Sequence, residues 1–186
     1  MSRSGAGQDG THQAEAPADA MTAGEVYVSE VTAGEASVDR ASSDEEVQSG
    51  LTDMIDAAFD LPERDWSQYA PLTLAYIGDA VFDLIVRTML VKRADEQVEK
   101  LHRKASRIVN AATQAQMLQK IRPQLTAQEE SVVRRGRNAS PHHTAKNASR
   151  EEYLEATALE ALIGYLYLKR DYERLTELIR AGLREA

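Results

Sequence analysis

The chain has 186 residues, with 22 Lys plus Arg against 30 Asp plus Glu and a net charge of −8. It has no cysteine, which excludes a disulfide framework, a zinc finger and a thiol nucleophile. No apolar run reaches the roughly 20 residues of a membrane span.

The charge is unevenly distributed. Residues 1–50 hold ten acidic and two basic side chains, a net of −8, while residues 51–186 hold twenty of each. The acidity of the whole chain is therefore no argument against an anionic partner for the second part. Residues 1–50 contain one aromatic residue, Tyr27, and no Leu, Ile or Phe. Such a segment buries too little apolar surface to offset the entropy of ordering, and a disordered acidic tail is expected there. It lacks the apolar core of a secretory signal and the Arg-rich character of a transit peptide, so the expected compartment is the cytoplasm.

From residue 51 onward the periodicity is helical, and one all-α domain is expected over 51–186. Leu51–Phe59 has apolar residues at 51, 54, 55 and 58. Pro71, a favoured first-turn residue, opens a run over 72–91 that is apolar nearly all round and is expected at the centre of the domain. Val98–Val109 is amphipathic, and Asn110 is a suitable cap for a helix over 111–121, ended before Pro123. Thr126 and Glu129 form a capping box for a helix over 127–135, with Gly136 as its expected stop. A loop over 138–148 follows. Ser149 and Glu152 form a second capping box, opening a strongly apolar helix over 151–168, and a last amphipathic helix covers 172–183.

Each of the two apolar helices carries an acid in its most apolar stretch: Asp79 within YIGDAVFDL and Glu160 within ALEALIGYLYL. A lone buried carboxylate is costly, so each needs a partner. Gly78, Ala80, Ala161 and Gly164 are small neighbours that would let the helices approach and the two acids converge, a donor set that suits Mg²⁺. The competing reading pairs each acid with an arginine, Arg87, Arg134 or Arg135. Asp83, one turn after Asp79, either supports the site or lies on a solvated edge. Thr157, one turn before Glu160, either holds a water or back-bonds its own helix.

The charge within residues 51–186 also divides. Residues 51–86 sum to −6, 87–150 to +9 and 151–186 to −3. The basic band contains Arg134, Arg135, Arg137 and Asn138 around a glycine, followed by Thr144, Lys146 and Asn147. These are donors of the kind that contact a phosphate backbone. The ten aromatics show no base-stacking pattern, which favours duplex over single-stranded nucleic acid. The bland alternative is that the bases neutralise the acidic ends of the same domain.

YIGDAVFDL, LHRKASRIV (101–109), VVRRGRN (132–138), AKN (145–147) and LEALIGYLYL (159–168), in this order, resemble the ribonuclease III catalytic domain, and most closely its minimal bacterial branch, Mini-ribonuclease III. The resemblance covers roughly residues 68–183. It implies a homodimeric, Mg²⁺-dependent endoribonuclease acting on double-stranded RNA, with maturation of 23S ribosomal RNA precursor as the associated role. Asp79 matches the aspartate of the signature helix, and Glu160 the metal-binding glutamate. Both are thereby the expected catalytic and metal-ligating residues. Leu72, Ala75 and Thr157 stand where full-length ribonuclease III has acids, and a further family acid falls near Gln116. No double-stranded-RNA-binding domain is read in the sequence, so RNA contact is expected from Arg134, Arg135, Arg137, Asn138, Lys146 and Asn147. The alternatives are a non-catalytic RNA-binding or ribosome-associated module of the same fold and a helical interaction scaffold.

Overall fold

In a computed structural model of the chain, the structure describes residues 50–139 and 149–184. The acidic tail and most of the expected 138–148 loop, with Lys146 and Asn147, lie outside the described residues.

Among the described residues seven α-helices follow in chain order: α1 Leu51–Phe59, α2 Pro71–Arg93, α3 Val98–Ile108, α4 Ala111–Ile121, α5 Ala127–Asn138, α6 Arg150–Leu168 and α7 Tyr172–Leu183. No strand occurs among the described residues. The expected caps form. Asn110 accepts from the Thr113 amide, and the reciprocal Thr126/Glu129 and Ser149/Glu152 boxes open α5 and α6. Each satisfies backbone donors that a helix start leaves without partners.

α6 is the axis of the fold, packed against α2, α4, α5 and α7. From Glu155 to Leu166 every residue is buried except Glu160, which is half-buried. α2 and α6 make their close approach through two glycines. A β-carbon on Gly78 would overlap the Glu160 carbonyl oxygen, and one on Gly164 would overlap the Leu74 carbonyl oxygen. Only hydrogen at both positions permits this crossing.

Two expectations are corrected. Gly136 does not end α5, which continues to Asn138. Gly136 is instead a contact point, where a β-carbon would meet Ala161 Cβ at 2.9 Å and Ala158 Cα at 3.0 Å. α2 is not buried all round. Leu74, Ala75, Gly78, Val81, Phe82, Val86 and Leu90 face the core, but Leu72, Tyr76, Leu84 and Val91 are exposed, Tyr76 by 83%. α1 turns its apolar face outward, leaving Leu51, Met54 and Phe59 exposed. It is attached by polar contacts: Thr52 hydrogen-bonds Tyr172, and Arg170 pairs with Asp53 at 2.7 Å and Asp56 at 2.8 Å.

Candidate active site

The glycine crossing sets the register of α2 on α6. Gly78 lies against the backbone of Glu160, so the adjacent Asp79 is brought beside the Glu160 side chain. Both acids line a cleft of about 410 Å³, together with Leu72, Ala75, Tyr76, Ile77, Ala80, Tyr153 and Thr157. Glu160 is the deeper of the two, and Asp79 lies at the exposed rim.

The electrostatics follow from that placement. Burial, then the like charge of Asp79, pushes the Glu160 carboxyl up to about 8, opposed by a hydrogen bond from Gln114. Protein packed around the Asp79 carboxyl, then the charge of Asp83, raises that group above its usual range as well. The arginines proposed as competing partners are elsewhere. Arg87 pairs with Asp83 at 2.7 Å, and Arg134 and Arg135 make no ion pair among the described residues. Asp79 and Glu160 therefore face one another without a neutralising side chain between them.

Two neighbours resolve less directly. The Thr157 hydroxyl donates to the Tyr153 carbonyl at 2.9 Å, so it back-bonds its own helix while lining the cleft. Asp83 is held by Arg87 through one oxygen, while its buried Oδ1 has no hydrogen-bond partner.

Gln116 is exposed and does not reach the pair; the residue beside Glu160 is Gln114. It is 1% exposed. Its Nε2 donates to the Val109 carbonyl at 3.2 Å, and its Oε1 is buried without a partner. A sequence signal existed. Gln114 shares a helical face with Leu118 and Ile121, both buried, which makes it a lone amide on an apolar stripe.

The residues fit a hard divalent cation. Two carboxylates, each raised by burial and by neighbouring acid, lie against an open cleft, with an orphaned amide oxygen on the Gln114 side chain that packs beside Glu160. No group of three or more His, Cys, Asp or Glu able to hold a metal occurs among the described residues. Two carboxylates beside an open cleft are a donor set that a hard cation can take while keeping several waters.

The basic residues gather on the α5 end. Gly136 packs on α6 at Ala158 and Ala161, so Arg134, Arg135, Arg137 and Asn138 surround a contact at the level of Glu160 along α6. Arg134 and Asn138 are exposed, and Arg135 is half-buried. Arg137 is engaged with Glu155 and lies 3.6 Å from Glu151.

This arrangement of crossed helices bearing an acid pair and a basic flank is the ribonuclease III type. A family model for the ribonuclease III domain matches residues 72–171. The chain is 50% identical over 112 residues to Mini-ribonuclease 3 of Symbiobacterium thermophilum, covering 60% of this chain and 86% of that protein. It is 43% identical over 119 residues to Mini-ribonuclease 3 of Clostridium tetani, covering 63% and 79%. A crystal structure of a Fusobacterium nucleatum protein superposes with a TM-score of 0.59 at 30% identity, covering 63% of this chain and 96% of that one. The chain belongs to the ribonuclease III family, and its activity is that of an endoribonuclease.

Proposed function

We propose that the protein is a Mg²⁺-dependent endoribonuclease that cleaves double-stranded RNA as a homodimer in the cytoplasm, with 23S ribosomal RNA precursor as its substrate. The observation that carries this reading is the convergence of Asp79 and Glu160 at the Gly78–Gly164 crossing without a cationic side chain between them. A catalytically idle module would gain nothing from an acid pair whose charges oppose each other's ionisation.

Asp79 and Glu160 would hold the metal. The chemistry such an ion supplies when bound is Lewis-acid activation of water and neutralisation of charge on the scissile phosphate. The chain's own residues do the rest. Gln114 packs beside Glu160, where its side-chain amide favours the charged form of that carboxyl. Arg134, Arg135, Arg137 and Asn138 at the end of α5 contact the backbone, joined by Lys146 and Asn147. Phosphate contact positions the duplex without reading sequence.

The dimer rests on the exposed apolar face of α2. Tyr76 and Leu72 line the cleft and also belong to that exposed face. An apolar groove of about 460 Å³ adjoins it, lined by Leu51, Ile77, Val81, Leu84, Tyr167 and Leu175 among others. Exposed apolar surface of this kind, next to the site, is what a second copy would cover. No helix among the described residues is long and apolar enough to cross a membrane.

The test is duplex RNA incubated with and without Mg²⁺, wild type beside Asp79→Asn. Wild type should cleave only with the metal. Asp79→Asn should still fold and bind RNA while losing cleavage by about 10²–10³-fold, the scale of a lost electrostatic contribution to the transition state. Equal cleavage by the variant would remove Asp79 from the metal site.

A further inference from the structure

One buried carboxylate plays no part in the chemistry above. Glu155, on α6, is 7% exposed. Its Oε1 accepts from Arg137 Nε on α5. Its Oε2 is buried without a hydrogen bond, and the nearest cation to it is Arg122 Nη1 at 3.9 Å. Arg122, in the turn before α5, is itself held by Glu130 in the first turn of α5 at 2.6 Å. Arg137 lies also 3.6 Å from Glu151. One acid on α6 is therefore linked to both ends of α5.

The placement matters because of what lies between. α5 packs on α6 through Gly136, against Ala158 and Ala161. A contact between a glycine and alanines has no interlocking side chains, so it fixes distance better than rotation. Val132 and Val133 are buried in the core beside it, and the Glu155–Arg137 pair adds a directional contact at the C-terminal end of α5. Glu155 is five residues before Glu160 on the same rigid helix, about 7.5 Å along its axis. Whatever Glu155 fixes is thereby fixed relative to the acid pair. What it fixes is the cationic end of α5, where Arg134 and Arg135 make no ion pair among the described residues and Arg137 already has two acids beside it.

We propose that Glu155 is a positioning residue for RNA contact, with Arg137 serving as its strut and not as a phosphate ligand. Together they aim the Arg134–Arg135 end of α5 at the duplex in register with Asp79 and Glu160. The proposal rests on the RNA-cleaving reading above and narrows its set of phosphate contacts. It distinguishes residues that bind RNA from residues that place it, and those two roles have different signatures.

The experiment measures binding of a short RNA duplex in EDTA across roughly 50–200 mM salt, and single-turnover cleavage at saturating duplex with Mg²⁺. Arg134→Gln and Arg135→Gln should each lower the slope of log K against log salt by about one, as loss of a phosphate contact does. Arg137→Gln should leave the slope at the wild-type value and lower the saturated cleavage rate about tenfold, a misplacement effect. Arg137→Lys, which keeps a cation opposite Glu155, should recover most of that rate. Glu155→Gln, of equal volume but without charge, should lose rate as Arg137→Gln does without losing slope. It carries the proposal if Arg137→Gln fails to fold by thermal melting. A slope reduced by about one in Arg137→Gln would make Arg137 a phosphate contact and overturn the proposal. Full saturated rates in both Arg137→Gln and Glu155→Gln would overturn it as well. Unchanged slopes in Arg134→Gln and Arg135→Gln would instead refute the underlying basic-band reading, a separate result.

Discussion

At the residue scale the acid pair dominates. Glu160 is held up to about 8 in the metal-free protein, whereas its ordinary value is 4.5. A carboxyl raised on folding binds its proton more tightly in the native state than in the unfolded chain. Its contribution therefore favours the native state below about pH 4.5 and is progressively lost as pH rises towards 8. Metal-free protein should accordingly lose stability over that window, read as a falling melting temperature. Glu160→Gln, which cannot ionise, should flatten that part of the profile. Added Mg²⁺ should restore stability most strongly at the alkaline end, because a protonated Glu160 cannot ligate and metal binding must release its proton. A flat melting profile from pH 5 to 8 in the metal-free wild type would contradict this placement of Glu160.

The two acids were legible in the sequence because a carboxylate inside an apolar helix stands out against its neighbours. Gln114 gave a weaker signal, since a neutral amide on an apolar stripe contrasts less with its neighbours than a carboxylate does. Gln116 is exposed while Gln114, two positions earlier, is buried beside Glu160, because a two-residue step on a helix turns the side chain from the core to solvent. Arg137 shows the opposite limit. Its place in a run of bases marked it as cationic, but only the fold shows Glu155, eighteen residues later, against it.

At the scale of elements, the α2–α6 crossing is the decisive feature. It exists because Gly78 and Gly164 each lie against a carbonyl oxygen of the facing helix. Gly78→Ala would gain helix propensity and lose the crossing. Overpacking of this kind costs about 1–3 kcal/mol or more, since the clash is with backbone that cannot rotate away. Chemical denaturation should show that loss. Cleavage should fall further than the folded fraction does, because the helix shift separates Asp79 from Glu160. Activity in proportion to folded protein would mean that the crossing does not set the site. Helix ends were largely readable, since caps and capping boxes are local chemistry. The end of α5 was not, because Gly136 resembles a helix stop and its true role depends on Ala158 and Ala161 across the interface.

At the scale of the whole molecule, the surface is divided. The α5 end carries bases, while α1 and one face of α2 expose Leu51, Met54, Phe59, Tyr76 and Leu84. In the dimer proposed above, Tyr76 is buried against the second copy. Tyr76→Glu should then yield a monomer by light scattering, with the helical content of the wild type retained. Duplex cleavage should drop as the paired sites separate. A wild type that is already monomeric at working concentration would remove the basis for the dimer.

The sequence by itself determined the helices, their caps, the two acids and the basic band, because propensity, capping and composition act within a few residues. It also determined the family, since several motifs occur in a fixed order. It did not determine which face of α2 is core, because the run over 72–91 is apolar on nearly every side and gives periodicity nothing to contrast. Tertiary structure decided that, by seating Gly78 on α6 and so turning Tyr76 outward. It decided equally which bases are already paired, since the charge of an arginine is read from sequence but its partner is set by packing between helices.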